Sequence, residues 1–204
     1  MFVYRDALKS DMNSIAKVHT DCFKGYFLTS LGEKLLEKYY AEYFDEGAPF
    51  VLALNDGEII GFCMGYQTGT KARANFEKKY KLQISVKLLG LCLFFNKNAW
   101  VRVIKKIKSI IKGFKQNKKK NITIDEKKVD GAVLSICVVE KFRGTGVAKA
   151  LINIFEDKLK NRRIEKCSLS VLSNNGTARA FYEKMGYSIL KEKGDSVVYI
   201  KNII

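Results

Sequence analysis

The sequence predicts an α/β domain in which strands alternate with amphipathic helices around one sheet. Three observations carry that expectation. Residues 132–159, AVLSICVVEKFRGTGVAKALINIFEDKL, read as a strand, a basic glycine turn and the start of a helix. Residues 2–66 read as strand, helix, helix and hairpin. The chain has 204 residues, 47% of them hydrophobic, enough for a sizeable core in one domain and too apolar for a disordered chain.

In order, Phe2-Val3-Tyr4-Arg5 is a short strand. Ser10 or Asp11 is placed to cap a helix with Ile15, Val18, His19 and Cys22 on one side. A loop over Gly25–Thr29 follows. Leu31, Leu35, Leu36, Tyr39, Tyr40 and Tyr43 mark a second amphipathic helix, and Pro49 comes after its end. Phe50–Leu54 and Ile59–Tyr66 are strands joined by Asn55-Asp56-Gly57, which has hairpin-turn chemistry.

Residues 71–128 break this rhythm. They hold 18 Lys/Arg against three acids, whereas the rest of the chain has 19 against 18. A nearly neutral domain therefore carries one strongly basic segment within a net charge of +16. Leu82–Phe95 is mostly apolar but short of the ~20 residues a spanning helix needs. Trp100, Val103, Ile104, Ile107, Ile110, Ile111 and Phe114 then repeat at helical steps, with lysines on other faces. The segment reads as a helical insertion between the third and fourth strands. Its stripe is expected to pack on the domain beside Leu82–Phe95, where it would help wall a binding site. The other use is peripheral contact with an anionic membrane through residues 100–115. The aromatic-interleaved basic pattern of single-strand binders is missing, so no specific nucleic acid is expected.

Ala132–Val139 is the fourth strand, and Val147, Leu151, Ile154, Phe155 and Leu159 share one face of the helix that follows. The turn between them contains Gly144 and Gly146. Glycines let a backbone approach a ligand closely, and the N–H groups and dipole of a helix N-terminus favour an anion. The turn is a candidate phosphate cradle, with neither the Rossmann nor the Walker spacing. Lys166–Leu172 alternates as a fifth strand. Ala178, Phe181, Tyr182 and Met185 mark a short helix with Gly186 as its C-cap, and Tyr187–Leu190 and Ser196–Ile200 are strands around Lys193-Gly194-Asp195.

Met1–Asp6 has neither the basic n-region nor the apolar h-region of a secretory leader. Cysteines 22, 63, 92, 137 and 167 are odd in number and form no C-x-x-C, which fits free thiols in a reducing compartment and a cytoplasmic location. One histidine and no cysteine pair make a metal site unexpected.

Two motifs resemble a known family. Arg143-x-x-Gly146-x-Ala148, opening a helix after an apolar strand, resembles the pyrophosphate-binding motif R/Q-x-x-G-x-G/A of the GNAT superfamily of N-acetyltransferases. Leu169-x-Val171-x-x-x-Asn175-x-x-Ala178-x-x-Phe181-Tyr182-Glu183-Lys184-x-Gly186-Tyr187 resembles that family's second signature. The resemblance covers roughly residues 1–70 and 129–204 and is specific in the latter. Glu140 stands where the family often has proline.

The resemblance implies one GNAT-like acyl-CoA N-acyltransferase domain over residues 1–204. Residues 1–70 would be an acceptor-side half, 71–128 an insertion and 129–204 a coenzyme A-binding half. It implies a twisted, mostly antiparallel mixed sheet, splayed between strands 4 and 5, with helices on both faces. Acetyl-CoA would be the co-substrate, without a metal. A small-molecule amine or amino sugar would be the acceptor, attacking directly without a covalent enzyme intermediate. The implied cofactor-binding set is Ile136, Cys137, Val138, Arg143, Gly144, Thr145, Gly146, Val147, Ala148, Lys149, Asn175 and Tyr182. Backbone groups of Ile136 and Val138 would pair with the pantetheine arm, the Val138 N–H lying where negative charge develops. Main-chain N–H groups of the turn would hold the pyrophosphate, with Arg143 or Lys149 adding charge or remaining surface. Asn175 would contact the arm or cap the helix. Tyr182 would protonate the departing thiolate or pack in the core; a phenol, with an ordinary pKa of ~10, is protonated at neutral pH.

His19, Asp130, Glu140 or water could serve as base, and His19 reads as a packed core residue. Cys137 lies in an apolar strand and reads as core, so no covalent route is supported. Other uses of the scaffold are a longer acyl donor, a sugar hydroxyl acceptor, or a non-catalytic membrane- or nucleic-acid-binding module.

Overall fold

The computed structural model describes residues 1–94 and 129–204. Seven strands form one sheet: β1 (Phe2–Asp6), β2 (Phe50–Asn55), β3 (Glu58–Gln67), β4 (Gly131–Val138), β5 (Lys166–Leu172), β6 (Ser188–Lys193) and β7 (Ser196–Asn202). Their order is β1-β2-β3-β4-β5-β7-β6. All neighbours are antiparallel except β4 and β5. The β2–β3 turn places Asp56 and Gly57 at φ of 50° and 82°. Two left-handed residues give the turn the twist of its flanking strands, as the Asp-Gly pair predicted.

Side chains leave the sheet on alternate faces. Val51, Ala53 and Cys63 join one core, under α6 (Val147–Asn161) and α7 (Gly176–Lys184). Phe50, Leu52, Phe62 and Met64 join the other, under α1 (Met12–Cys22) and α3 (Glu33–Asp45). Tyr39, Tyr40 and Tyr43 of α3 meet Phe50, Phe62, Tyr66 and Phe76 in an aromatic layer, which accounts for the tyrosine stripe in the sequence.

Some local expectations change. Gly25–Thr29 is not all loop, because Phe27–Ser30 closes one helical turn, α2, steadied by the Ser30 hydroxyl donating to the Phe27 carbonyl. Asp11 precedes α1 but makes no side-chain cap. Its carboxylate pairs with Arg5 at 2.6 Å and accepts the Leu8 N–H at 2.7 Å, so an ion pair outcompetes the cap. The fourth strand starts one residue earlier than expected and ends at Val138.

Between β3 and β4 the chain forms α4 (Ala72–Lys79) and α5 (Lys81–Phe94). Phe76 is buried against the α1–α3 core and anchors α4 there. The segment returns beside its point of departure: the Thr68 N–H donates to the Asp130 carbonyl at 2.8 Å, and the Thr68 hydroxyl donates to the Val129 carbonyl. A closed neck lets a long excursion leave the sheet register undisturbed. The expected Trp100–Phe114 helix and the contact over 100–115 lie outside the described residues.

Candidate active site

The parallel contact of β4 with β5 is confined to Gly131↔Cys167 and Ala132↔Ser168. Beyond it β4 stays paired with β3 as far as Val138, and β5 stays paired with β7 as far as Leu172. The sheet therefore opens into a wedge between the two strands. Alternation along β4 decides which groups face it. Val139 donates its N–H to Ile60 of β3 at 2.8 Å, and Cys137 pairs with Phe62 in the same phase. Ile136 and Val138 fall in the opposite phase, so their backbone N–H and C=O groups point into the wedge.

Cys137, between them, turns its backbone to β3 and packs its side chain against the α1–α3 core. The alternation has one fault. Met64 pairs with Ser135 and Gly65 with Val133, leaving Leu134 as an extra residue. This bulge re-aims the second half of the strand. Leu134 packs on the α1–α3 core and Ser135 reaches Tyr40 of α3, both on the same face.

The strand ends in a 3-10 turn, Glu140–Phe142, in the place of the family's proline. The Phe142 N–H donates to the Val139 carbonyl at 2.9 Å, and the Thr145 hydroxyl donates to the Phe142 carbonyl at 2.7 Å. Gly144 and Gly146 then take φ of +79° and +88°. A Cβ on either would meet nothing within 4 Å, so open space lies over both. Gly146 is the N-cap of α6 and brings no capping side chain. The first N–H groups of α6, from Val147, Ala148 and Lys149, thus open toward that space at the positive end of a 15-residue helix. Val147 is buried and anchors the helix start, Ala148 is half-buried and Lys149 is exposed. The arrangement fits a pyrophosphate, which needs converging donors and no side chain in the way.

The Arg143 side chain does not stand over this cradle. Its Nε donates to the Val138 carbonyl at 3.1 Å. One of the wedge-facing acceptors is thereby taken by the chain itself, and the Val138 N–H remains as the donor there.

A polar cluster that joins His19 to partners the sequence did not name lies on the α1–α3 face of β4. His19 Nδ1 is 2.6 Å from the Tyr40 hydroxyl, which donates to the Ser135 hydroxyl at 3.3 Å. His19 is buried, and burial lowers its pKa to about 4. Its Nε2 has no hydrogen-bond partner among the described residues. The expected packed-core role therefore describes its position. Beside it the Cys22 thiol is lowered from its ordinary value, chiefly by a hydrogen bond with Cys137 and also by the Arg143 charge. Burial pushes the Cys137 thiol up. The sequence singled out His19, but nothing in it names Tyr40 and Ser135 as its partners.

Asn175 caps α7: its Oδ1 accepts the Ala178 N–H at 3.1 Å. Tyr182 is buried in the core that also holds Val138, Val147 and Val171, with edge contacts to Phe181 and Tyr187. Burial pushes its pKa well up, so the phenol stays protonated.

The seven-stranded mixed sheet, its wedge and the cradle at the start of α6 define the GNAT acyltransferase fold. Residues 109–187 match the model of the acetyltransferase (GNAT) family. The chain thus has the fold of the GNAT acyltransferases, and part of it matches that family's model. No curated protein matches the chain by sequence. Solved structures match it in fold at low identity. The ribosomal-protein-S18-alanine N-acetyltransferase from Escherichia coli is 13% identical, at a TM-score of 0.59, over 100% of this chain and 94% of that one. Ard1 from Thermoplasma volcanium is 14% identical, at 0.60, over 100% and 98%. The PaiA N-acetyltransferase from Thermoplasma acidophilum, in complex with coenzyme A, is 14% identical, at 0.56, over 99% of each. Among the described residues no group of three or more His, Cys, Asp or Glu could hold a metal ion.

Proposed function

We propose that the protein transfers an acetyl group from acetyl-CoA to a primary amine of a small molecule or amino sugar, by direct attack. The observation that carries this is the parting of β4 from β5 after Ala132 and Ser168, next to the uncapped start of α6. Acetyl-CoA supplies the activated acetyl group. The main chain of Gly144, Thr145, Gly146, Val147 and Ala148 holds its pyrophosphate, and Lys149 adds positive charge at the rim. Ile136 and Val138 hold the pantetheine arm through backbone groups. The Val138 N–H donates to the oxygen on which charge develops. Arg143 acts as a positioning residue, fixing the Val138 peptide through its carbonyl. Cys137 serves the opposite face.

Asn175 lies about two turns before Tyr182 and holds the start of α7 in place, leaving its amide nitrogen for the arm. Tyr182, whose phenol is protonated at neutral pH, donates the proton to the leaving thiolate. The acceptor enters from the Cys22–Ser30 side, against α1 and α3. Residues 71–128 are an insertion within this single domain.

The test is a screen of amino sugars, sugar nucleotides, polyamines and peptides, monitored by thiol release from acetyl-CoA. With an acceptor in hand, Tyr182→Phe should lower turnover ~10²-fold or more while acetyl-CoA affinity is kept. Equal turnover numbers would return Tyr182 to packing alone.

A further inference from the structure

We infer that α5 docks the protein on an anionic lipid bilayer, lying in the plane of its surface. The inference stands apart from the acetyl-transfer reading. Leu82, Val86 and Leu89 of α5 recur at steps of four and three and are 77%, 61% and 64% exposed. Three branched aliphatic side chains thus form one outward stripe without a charge in it. Ile84, on the opposite side of the helix, packs against the α1–α3 core, so the inner face already holds α5 to the domain. The apolar surface continues from the stripe into a groove of about 930 Å³ lined by Leu31, Leu35, Leu82 and Val86, with Lys34, Lys87 and Glu33 also on its wall. The outward surface is therefore larger than three scattered side chains, and contiguous apolar patches mark interaction sites.

Charge selects the occupant. Residues 71–94 contain six Lys/Arg and one acid, Glu77; Arg73 pairs with Glu77 and Lys79 with Glu42, so the charge offered to a partner comes from Lys71, Lys78, Lys81 and Lys87. Lys81 and Lys87 flank the stripe on either side at 3.6 residues per turn. Their long stems can carry each ammonium to the headgroup level while the aliphatic stripe sits deeper, the Lys87 ammonium swinging outward from its place near Gly32. Lys78 of α4 is exposed nearby in sequence. A second copy of the chain would bring another +16 against this surface. A nucleic acid would satisfy the lysines and leave the stripe in water. An anionic bilayer satisfies both. Fourteen residues are fewer than the ~20 that crossing requires, so α5 lies flat.

The test is flotation of the full chain with vesicles of phosphatidylcholine alone or mixed with phosphatidylserine. The chain should float with the mixed vesicles only, and high salt should release it. Val86→Asp/Leu89→Asp and Lys81→Gln/Lys87→Gln should each cut the bound fraction ~10-fold or more. Both pairs are exposed, so thermal melts matching the parent would verify that the variants fold. Absence of flotation by the parent, or equal flotation of all three proteins, would overturn the inference. So would a dimer in solution that Val86→Asp/Leu89→Asp dissolves. Loss of thermal stability in that variant, with no parental flotation, would mean the chain covers its own stripe and would also overturn it. Tight binding to a single-stranded oligonucleotide, retained by Val86→Asp/Leu89→Asp without flotation, would assign the charge to nucleic acid instead.

Discussion

His19 shows how one buried residue sets the acid behaviour of the fold. An unfolded histidine titrates near 6.5, whereas His19 in the folded chain is lowered to about 4 by burial. Between those values the unfolded chain binds a proton that the folded chain does not. Its contribution is therefore unchanged above about pH 6.5 and is lost as pH falls toward 4, by up to about 3 kcal/mol. Urea midpoints measured across this window should fall more steeply for the parent than for His19→Leu. Parallel profiles would show that carboxylates dominate. The same residue was legible only in part. Its place on an apolar helical face announced burial, but its partner Tyr40 lies 21 residues away and Ser135 comes from another element.

Two element-scale features decide how the wedge is held. The cap at Asn175 fixes the start of α7, the helix carrying Tyr182. Asn175→Ala should cost about 1 kcal/mol of stability by loss of the cap. If acetyl-CoA affinity, measured by calorimetry, falls as well, the amide also reaches the ligand. The second feature is the β4 bulge opposite Gly65. A Cβ on Gly65 would collide with the Ala132 carbonyl oxygen and the Phe155 ring. Gly65→Ala should therefore destabilise by about 2–3 kcal/mol, read as a lower urea midpoint at an unchanged slope. A Gly65→Ala protein as stable as its parent would mean that β3 and β4 can slide apart freely. Glycine within the Ile59–Tyr66 run was visible in the sequence, but the close approach that demands it was not. Likewise the β4–β5 wedge was expected only through family resemblance, because register between strands is set by pairing and packing, not by either strand's own pattern.

For the molecule as a whole, ligand binding should appear as added stability. Acetyl-CoA at a hundredfold excess over its Kd should stabilise the folded chain by about 2.7 kcal/mol and raise Tm accordingly. Gly146→Glu places a side chain and a negative charge in the space over the cradle, and the ligand-dependent rise should vanish. Because Gly146 sits at φ +88°, this variant carries some backbone strain of its own. The measurement is therefore the difference with and without acetyl-CoA, not the absolute Tm. A Gly146→Glu protein that keeps the full ligand-dependent rise would move the cofactor away from the start of α6.

By itself the sequence determined the period of the longer helices and strands, the glycine turn at 143–146 and the concentration of net positive charge in residues 71–128. These are local properties: hydrophobic spacing, positive-φ chemistry and counting need no distant partner. Tertiary structure alone decided where side chains already committed to other tasks point. Asp11 left its cap for Arg5, Arg143 turned from the cradle to the Val138 carbonyl, and Cys22 met Cys137. Each outcome is a competition between a local bond and a non-local one. Its winner depends on which strands and helices the fold has brought within a few ångströms.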